Sequence, residues 1–310
     1  MLLVTLHGGK PGVDPKLNNV HAYDKEGNKV SSSVLDNTPG VVLDELRSIR
    51  LLGNYLYVVN ANKEQNSVLC YQGSGVKYAF VGQFVSNQAC PAIVHPFDLT
   101  FDGVGNCYLS SQDTNVVTRF KVAAGGKSAT PAPIAPALPK PGNFSPGTFV
   151  ASSVSLKPPS TPVPAPPGLE YSDHEKKKHS VRGVAWANGV LYVADQVAEC
   201  IKMYDKDGKF LGMSSAVNTP VHLLVYKGNL YVSGADHVFI AKLPNPPGDF
   251  KLSPIEGVKV QNSCGIAVSN SGHFFIGSRT GNAILKFDSD FQQMDFKCEL
   301  PDNPEFLLHV

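Results

Sequence analysis

Short runs of alternating apolar and polar residues cover most of the chain, and they come in pairs separated by a Gly or Asn turn. In the segment 184–195, an apolar run ends at Asn188-Gly189, and a second run of the form apolar-Tyr-apolar follows. A period of two residues is typical of a half-buried β-strand, and a tight turn between two such runs predicts a hairpin. A third strand follows each pair, so the chain is predicted to be all-β. The paired pattern occurs at 49–60, 99–110, 184–195, 223–234 and 266–277.

The hairpins repeat at a spacing that is typical of β-propeller blades. Aromatic residues of successive second strands are 51, 84, 39 and 44 residues apart, and a four-stranded blade takes roughly 40–50 residues. The residues left at the two chain ends add up to one more period, so we predict six blades. The closing blade has residues 306–310 as its innermost strand, followed by 2–7, 19–23 and 29–34, which leaves no open sheet edge at the seam. The aromatic residues are Tyr57, Tyr108, Tyr192, Tyr231 and Phe275.

The long 84-residue interval contains most of the proline-rich sequence. Residues 123–180 hold 12 of the 24 prolines, and proline lacks the N–H group that a central strand needs. We predict two proline-rich loop insertions, 123–148 and 157–180, around the third blade. The alternating segment 149–156 between them is predicted to supply the outer strand of that blade. A single propeller domain then spans 1–310, and the alternative is a seventh blade within the insertions.

Charge and apolar content exclude several classes of partner. The chain has 27 Lys and Arg against 26 Asp and Glu, a net charge of +1, which predicts no binding to nucleic acid or to an anionic membrane surface. No apolar run reaches the roughly 18 residues of a membrane-spanning helix, and the opening run is too short for a signal peptide. We expect a cytoplasmic protein with six reduced, buried cysteines. A disulfide between Cys70 and Cys90 is the alternative.

The repeat at 181–212 resembles an NHL-type repeat of six-bladed propellers. The resemblance rests on Val181-Arg-Gly-Val-Ala-Trp-Ala-Asn-Gly-Val-Leu-Tyr-Val-Ala-Asp-Gln and on Met203-Tyr-Asp-Lys-Asp-Gly-Lys-Phe-Leu-Gly. Among such propellers, the chain is similar in texture to proteins of fungal secondary-metabolite clusters. These include the trichothecene-cluster propeller and the hetero-Diels–Alderases of tropolone sesquiterpene pathways. The resemblance implies a role in small-molecule biosynthesis.

Candidate site residues come from the mouth of the central channel. In such a propeller, the starts of the innermost strands and the ends of the second strands ring one mouth of the channel. Loops between blades reach the same face, so the insertion 157–180 is predicted to form a lid. The candidate catalytic residues are Arg47, Arg182, His222 and Glu305. The candidate substrate-binding residues are His7, Asn60, His95, Asp195, Ser278 and, from the lid, Tyr171.

These residue types suit an oxygen-rich or anionic ligand. Arginine holds planar oxygen pairs in two-point contacts, so Arg47 and Arg182, with His222, are predicted hydrogen-bond donors to the substrate. Glu305 is the predicted proton donor or acceptor. The alternative is that the arginines only neutralise buried carboxylates and that the histidines are structural.

Metal binding is not predicted. Senescence-marker-type lactonases hold a divalent cation with a Glu, Asn and Asp residues at inner-strand starts, but Arg182 and Cys264 stand at such places here. Amidating lyases hold zinc with three histidines, and His7, His95 and His222 occupy unequal positions within the repeats. We expect neither metal nor cofactor.

The sequence and its resemblance together predict an enzyme that acts on a small oxygenated natural product. The expected reaction is cyclisation, isomerisation or cycloaddition, including hetero-Diels–Alder addition, with the substrate held at the channel mouth. Two alternatives stay open. One is a non-catalytic scaffold that binds another protein, and the other is a metal-dependent lactonase or lyase.

Overall fold

A computed structural model describes residues 1–8, 17–36, 38–132 and 181–310, together with the backbone of 148–150. The described residues form six antiparallel sheets, one for each blade of a propeller. The predicted six-bladed all-β architecture is confirmed. No helix among the described residues is long and apolar enough to cross a membrane.

Blades 1 to 3 contain both the chain ends and the interrupted blade. Their strands, from the channel outwards, are: in blade 1, β25 (Pro304–His309), β1 (Leu2–Leu6), β2 (His21–Tyr23) and β3 (Lys29–Ser31); in blade 2, β4 (Leu46–Leu52), β5 (Tyr55–Asn60), β6 (Ser67–Ser74) and β7 (Lys77–Ser86); in blade 3, β8 (Pro96–Phe101), β9 (Asn106–Ser111) and β10 (Val116–Val122), with β11 (Ala129–Pro131) and β12 (Thr148–Val150) outside.

Blades 4 to 6 are regular four-stranded meanders. Their strands are: in blade 4, β13 (Val181–Ala187), β14 (Val190–Asp195), β15 (Cys200–Tyr204) and β16 (Phe210–Met213); in blade 5, β17 (Leu223–Tyr226), β18 (Asn229–Ser233), β19 (His237–Lys242) and β20 (Ser253–Lys259); in blade 6, β21 (Ser263–Val268), β22 (Phe274–Ser278), β23 (Ala283–Phe287) and β24 (Cys298–Glu299).

The first and last strands close the ring, as the repeat spacing predicts. β25 pairs antiparallel with β1 in a register that places Leu2 opposite His309 and Val4 opposite Leu307. Both Val4 and Leu307 are buried, so the seam is part of the apolar core. The closure converts what would be two open strand edges into one continuous sheet.

The outer edge of blade 3 is built from two short strands instead of one. β12 begins at Thr148, one residue before the predicted outer strand 149–156, and pairs with residues 116–118 of β10; of the predicted strand, 149 and 150 are described and lie beside β10. β11 pairs with residues 120–122 of β10 and lies inside the segment 123–148, which we predicted to be loop. Residues 133–147 and 151–180, including the predicted lid, lie outside the described residues.

A β-bulge recurs where the inner strands begin. In blades 1, 2, 3, 4 and 6, the register between the inner and second strands shifts close to the channel mouth, so that two inner-strand residues oppose one second-strand residue. A bulge bends its strand and redirects a side chain. The bulged pairs are Glu305-Phe306, Arg47-Ser48, Phe97-Asp98, Arg182-Gly183 and Cys264-Gly265.

Hydroxyl groups of the second strands connect neighbouring bulges. Thr5 Oγ1 accepts a hydrogen bond from the Phe306 N–H (3.0 Å) and donates one to the Arg47 carbonyl in the next blade (2.8 Å). Ser110 repeats this arrangement, since its Oγ donates to the Arg182 carbonyl of the next blade (2.7 Å). Both hydroxyl side chains are fully buried, so these bonds fix the inner strands to one another at the channel mouth.

Two inner-strand side chains make a second type of connection between blades. Asp98 accepts the N–H of Val184 in blade 4 (3.0 Å) and pairs with Arg50 of blade 2 (3.0 Å). His222 Nδ1 accepts the N–H of Ile266 in blade 6 (3.0 Å). Bulged strand starts have backbone N–H groups that the sheet itself cannot satisfy, and buried N–H groups need acceptors. These side chains supply them.

Removal of residues 306–310 is expected to cost about 5 kcal/mol or more, because it deletes most of a buried inner strand in a protein whose total stability is of that order. Equilibrium unfolding in urea measures the loss, with a variant that lacks only Val310 as the control. Equal unfolding midpoints for the two variants would contradict the closure.

Thr5→Val is expected to lower the free energy of unfolding by about 1–3 kcal/mol, because it leaves the buried Phe306 N–H and Arg47 carbonyl without partners. Thr130→Val, on the exposed outer strand β11, is the matched control and should change stability by no more than about 0.5 kcal/mol. Similar changes in the two variants would show that the Thr5 hydroxyl does not connect the blades.

Candidate functional site

The channel mouth contains a polar cavity of about 290 Å³. Every blade contributes to its wall, and Phe97 and Val221 provide the apolar part. The described residues that line it are His7, Glu45, Arg47, His95, Phe97, Gln112, Arg182, Gln196, Val221, Arg279 and Glu305.

The recurring bulges place four of these side chains. Arg47, Phe97, Arg182 and Glu305 are each the first residue of a bulged pair and the second residue of their inner strand. The second residue of the pair faces the neighbouring blade. At Gly183 this approach is so close that a Cβ atom would lie 2.6 Å from the Val221 carbonyl oxygen, so only glycine fits. In four of the five bulged pairs, the first side chain therefore enters the cavity.

A second group of lining residues directly follows the second strands. His7, Gln112, Gln196 and Arg279 come immediately after β1, β9, β14 and β22. The sequence analysis placed site residues at the strand ends themselves and so missed Gln112, Gln196 and Arg279. A signal was available in the repeat alignment, because the position one residue beyond the second strand is polar in four of the six repeats.

Glu305 lies between two arginines. Its side chain is completely buried, with Oε1 3.6 Å from Arg47 Nη1 and Oε2 hydrogen-bonded by Arg279 Nη2. Burial alone raises the pKa of a carboxyl group, but the charges of Arg47 and Arg279 outweigh burial and hold the pKa of Glu305 below its ordinary value. Glu305 is therefore ionised at neutral pH, which makes it a poor proton donor.

The ion pairs continue around the mouth into blades 2 and 3. Arg47 Nη2 donates to Glu45 Oε2 (3.1 Å), and the same carboxylate oxygen lies 3.4 Å from His95 Nε2. His95 Nδ1 lies 3.3 Å from Asp113 Oδ1. Contact with His95 and the charge of Arg47 lower the pKa of Glu45 against the effect of burial. Cationic and anionic side chains thus alternate from blade 6 through blade 1 to blade 3.

Arg182 stands apart from this alternating chain. Its Nε donates to Gln196 Oε1 (2.8 Å), its Nη1 donates to Gln112 Oε1, and its guanidinium lies over the Phe97 ring at 5.3 Å. No carboxylate of the described residues forms an ion pair with it. Burial, followed by the charge of Arg279, lowers the pKa of Arg182 to about 10. The guanidinium is thus held by neutral groups, and the carboxylates of Glu305 and Asp113 act on it only from a distance.

Several polar atoms of the wall are buried and form no hydrogen bond with any described residue. They are Arg47 Nη1, His95 Nε2, Arg279 Nε and Glu305 Oε1. Buried polar atoms are normally paired, and each unpaired one costs roughly 1–3 kcal/mol. Arg47 Nη1 and Glu305 Oε1 lie 3.6 Å apart, and His95 Nε2 lies 3.4 Å from Glu45. These atoms are therefore in charged contact but keep hydrogen-bonding capacity for a ligand.

The structure does not bring every predicted residue to the cavity. Arg47, Arg182, Glu305, His7 and His95 line it. His222 lies outside the lining: its ring is fully buried, its Nδ1 accepts the Ile266 N–H, and burial together with Arg50 holds its pKa well below 6.5. His222 is therefore a neutral acceptor between blades 5 and 6.

Three predicted second-strand residues hold local structure instead of facing the cavity. Asn60 donates to the Val42 carbonyl (3.0 Å), and Ser278 donates to the Gln261 carbonyl (3.0 Å). Asp195 forms a buried ion pair with Lys202 at 2.6 Å. Tyr171 lies outside the described residues.

No metal centre is present in the described part of the chain. There, no group of three or more His, Cys, Asp or Glu side chains is placed to hold a metal ion. All six cysteines are described; they are buried, and none is in a disulfide. Burial raises the pKa of the Cys264 thiol to about 12, so this residue at a bulge is a poor nucleophile.

No family model matches the sequence, and no curated protein matches it. Solved structures share the fold. The chain is similar to a chain in the nidogen/laminin complex (11% identity over 99% of this chain and 97% of that one, TM-score 0.59). It is also similar to a functionally unknown protein from Desulfotomaculum acetoxidans (10% identity, 99% and 97% covered, TM-score 0.59). A protein from Lactobacillus plantarum is a further match (14% identity, 94% and 80% covered, TM-score 0.58).

Identities this low establish a common propeller architecture and nothing about activity. The resemblance to NHL repeats and to fungal biosynthetic propellers stays a prediction. What the comparisons establish is the fold class: the chain shares the β-propeller architecture of these solved structures.

Proposed function

We propose that the channel mouth binds a small molecule through an anionic or strongly polarised oxygen group, and that the protein is an enzyme acting on it. Its main support is Arg182, a half-buried guanidinium that no carboxylate of the described residues contacts directly. Three guanidinium groups and two carboxylates line the cavity, so the ring has an excess positive charge before any histidine is protonated.

The surroundings of Arg182 suit a ligand better than a structural role. Gln112 and Gln196 hold two of its donors, and Phe97 covers one face, so the guanidinium is fixed in orientation while Nη2 keeps its donors for a ligand. Hydrogen bonds from a fixed guanidinium to an anionic oxygen are among the strongest in proteins, and a dry site strengthens them further. Phe97 and Val221 provide apolar contact for the rest of the molecule.

The reaction class follows from fixed donors at a small cavity. Arg182 would polarise a carbonyl or stabilise an oxyanion, which lowers the barrier of a cyclisation, isomerisation or cycloaddition, including hetero-Diels–Alder addition. The substrate class is a small oxygenated natural product. The Glu305 carboxylate keeps Arg47 and Arg279 in place and is not the proton donor in this scheme.

The electrostatics argue against the metal-dependent alternative. A divalent cation prefers several oxygen ligands with net negative charge, whereas Arg47, Arg182 and Arg279 face this cavity. The three histidines of a zinc site are also separated, since His222 serves the interface of blades 5 and 6. A propeller that acts only as a protein-binding scaffold has no need for an unneutralised arginine inside its channel.

Benzoate is expected to bind the wild-type protein more tightly than its neutral isostere benzamide. Arg182→Met should reduce benzoate affinity by about 10-fold or more, the value of one charge-assisted contact, and leave the affinity for benzamide nearly unchanged. Titration calorimetry measures both. Arg119→Met, which removes an arginine paired with Asp207 away from the cavity, is the control. Equal affinity for the two compounds, or equal losses in both variants, would contradict the proposal.

The unfolding free energies of two variants separate binding from structure. Glu305→Gln should destabilise by about 3–5 kcal/mol, because it leaves the buried Arg47 and the half-buried Arg279 without their carboxylate. Arg182→Met should cost no more than about 1 kcal/mol, since it removes a charge that burial already disfavours. Urea denaturation compares them. A large loss in Arg182→Met would assign that residue to the structural network instead.

A further inference from the structure

We propose that His95 is the proton-carrying side chain of this site, so that binding of an anion in the cavity is coupled to protonation of His95. The proposal rests on the proposed function, because it requires an anion at the channel mouth. It reassigns the proton-transfer role that the sequence analysis gave to Glu305.

The geometry of His95 suits proton transfer. Nδ1 lies 3.3 Å from Asp113, which orients the ring, while Nε2 lies 3.4 Å from Glu45 at the cavity wall. Nε2 is buried, and no described residue forms a hydrogen bond with it. Asp113 therefore holds one ring nitrogen from outside the cavity, while the other faces the cavity at ion-pair distance from Glu45. A carboxylate behind an imidazole is the arrangement that fixes a histidine for acid–base work.

The backbone at His95 is held in an unfavourable conformation. Its φ is +48°, in the left-handed region. The next residue is Pro96, and a residue that precedes proline favours extended over helical backbone conformations. A hydrogen bond from its N–H to Asn66 Oδ1 (3.0 Å) and one from the Gln112 N–H to its carbonyl (3.1 Å) maintain this geometry. Glu45, at the equivalent position of blade 2, has φ +46°. Strained positions that the fold maintains in this way cluster at functional sites.

Charges around the ring set its proton affinity. Burial by itself lowers the pKa of His95, and the contacts with Asp113 and Glu45 raise it by more, while Arg47 opposes them. The net result is a pKa of His95 that is raised from its ordinary value. An anion in the same cavity adds a further negative charge close to the ring and raises this pKa again.

Neither carboxylate in the cavity can take this role. The pKa values of Glu305 and Glu45 are both lowered by their cationic neighbours, so both groups stay ionised at neutral pH. When an anion binds, a neutral His95 takes up one proton from the solvent at Nε2 and keeps its Nδ1–H towards Asp113. The protonated Nε2 then stands ready to donate to an oxygen of the ligand that gains negative charge, and the ring returns to its neutral form.

Titration of benzoate in Tris and in triethanolamine, at about pH 7.5, tests the coupling. The two buffers differ in ionisation enthalpy, so the difference in binding heat gives the number of protons taken up. The wild-type protein should take up a measurable fraction of a proton per benzoate. His95→Gln should abolish the uptake, Asp113→Asn should reduce it, and His237→Gln, outside the cavity, should leave it unchanged.

Two results would overturn the proposal while leaving the proposed function intact. One is benzoate binding that depends on Arg182 without proton uptake in the wild-type protein. The other is uptake that persists in His95→Gln and disappears in His7→Gln, which would assign the proton to His7. A test without ligand is also available: an NMR titration should give His95 a pKa above 6.5, and a value below 6.5 would overturn the proposal even if benzoate did not bind.

Discussion

The pairing of β25 with β1 is the constraint on which the rest of the molecule depends. It joins the two ends of the chain into blade 1 and makes the sheet ring continuous. The bulge in the same strand pair places Glu305 on the channel axis side, between Arg47 of blade 2 and Arg279 of blade 6. Closure of the fold and charge balance at the mouth are therefore consequences of a single strand pairing.

The arrangement of charged side chains explains why the channel mouth is stable and why we propose that it binds an anion. Buried charges are costly unless they are paired, and the chain from Arg279 to Asp113 meets this requirement by alternation. Arg182 does not, so its guanidinium is maintained at a cost that neutral neighbours only partly offset. Residues that lower stability in this way are typical of functional sites, where selection acts on ligand binding instead of on folding.

The fold was predictable from the sequence because hairpins and blade spacing are local, repeated signals. The period-two alternation and the aromatic markers depend on residues within about 12 positions of one another, and the closing strand follows from counting the remaining residues. The two-part outer edge of blade 3 was harder to predict from the sequence, because Ala129–Pro131 pairs with β10 within a segment dominated by prolines.

The site was predictable only in part, because strand register decides which side chains enter the channel. Arg47, Arg182 and Glu305 were found since they lie at inner-strand starts, and the bulges turn them inwards. Asp195 and Ser278 each lie one residue before the side chain that lines the cavity, whereas Asn60 bonds the Val42 carbonyl and has no lining residue after it. The prediction for His222 failed for a different reason. A polar residue at an inner-strand start can accept a hydrogen bond from a backbone N–H of the next blade. No sequence pattern separates that role from ligand binding.

A crystal structure with anomalous diffraction from bromide tests the central claim most directly, because bromide reports where the protein attracts an anion independently of any reaction. The account predicts a bromide ion at the channel mouth within ion-pair distance of the Arg182 guanidinium. A mouth without bromide in crystals whose surface lysines bind it would contradict the account, since it would mean that the excess positive charge of the cavity is fully compensated within the protein.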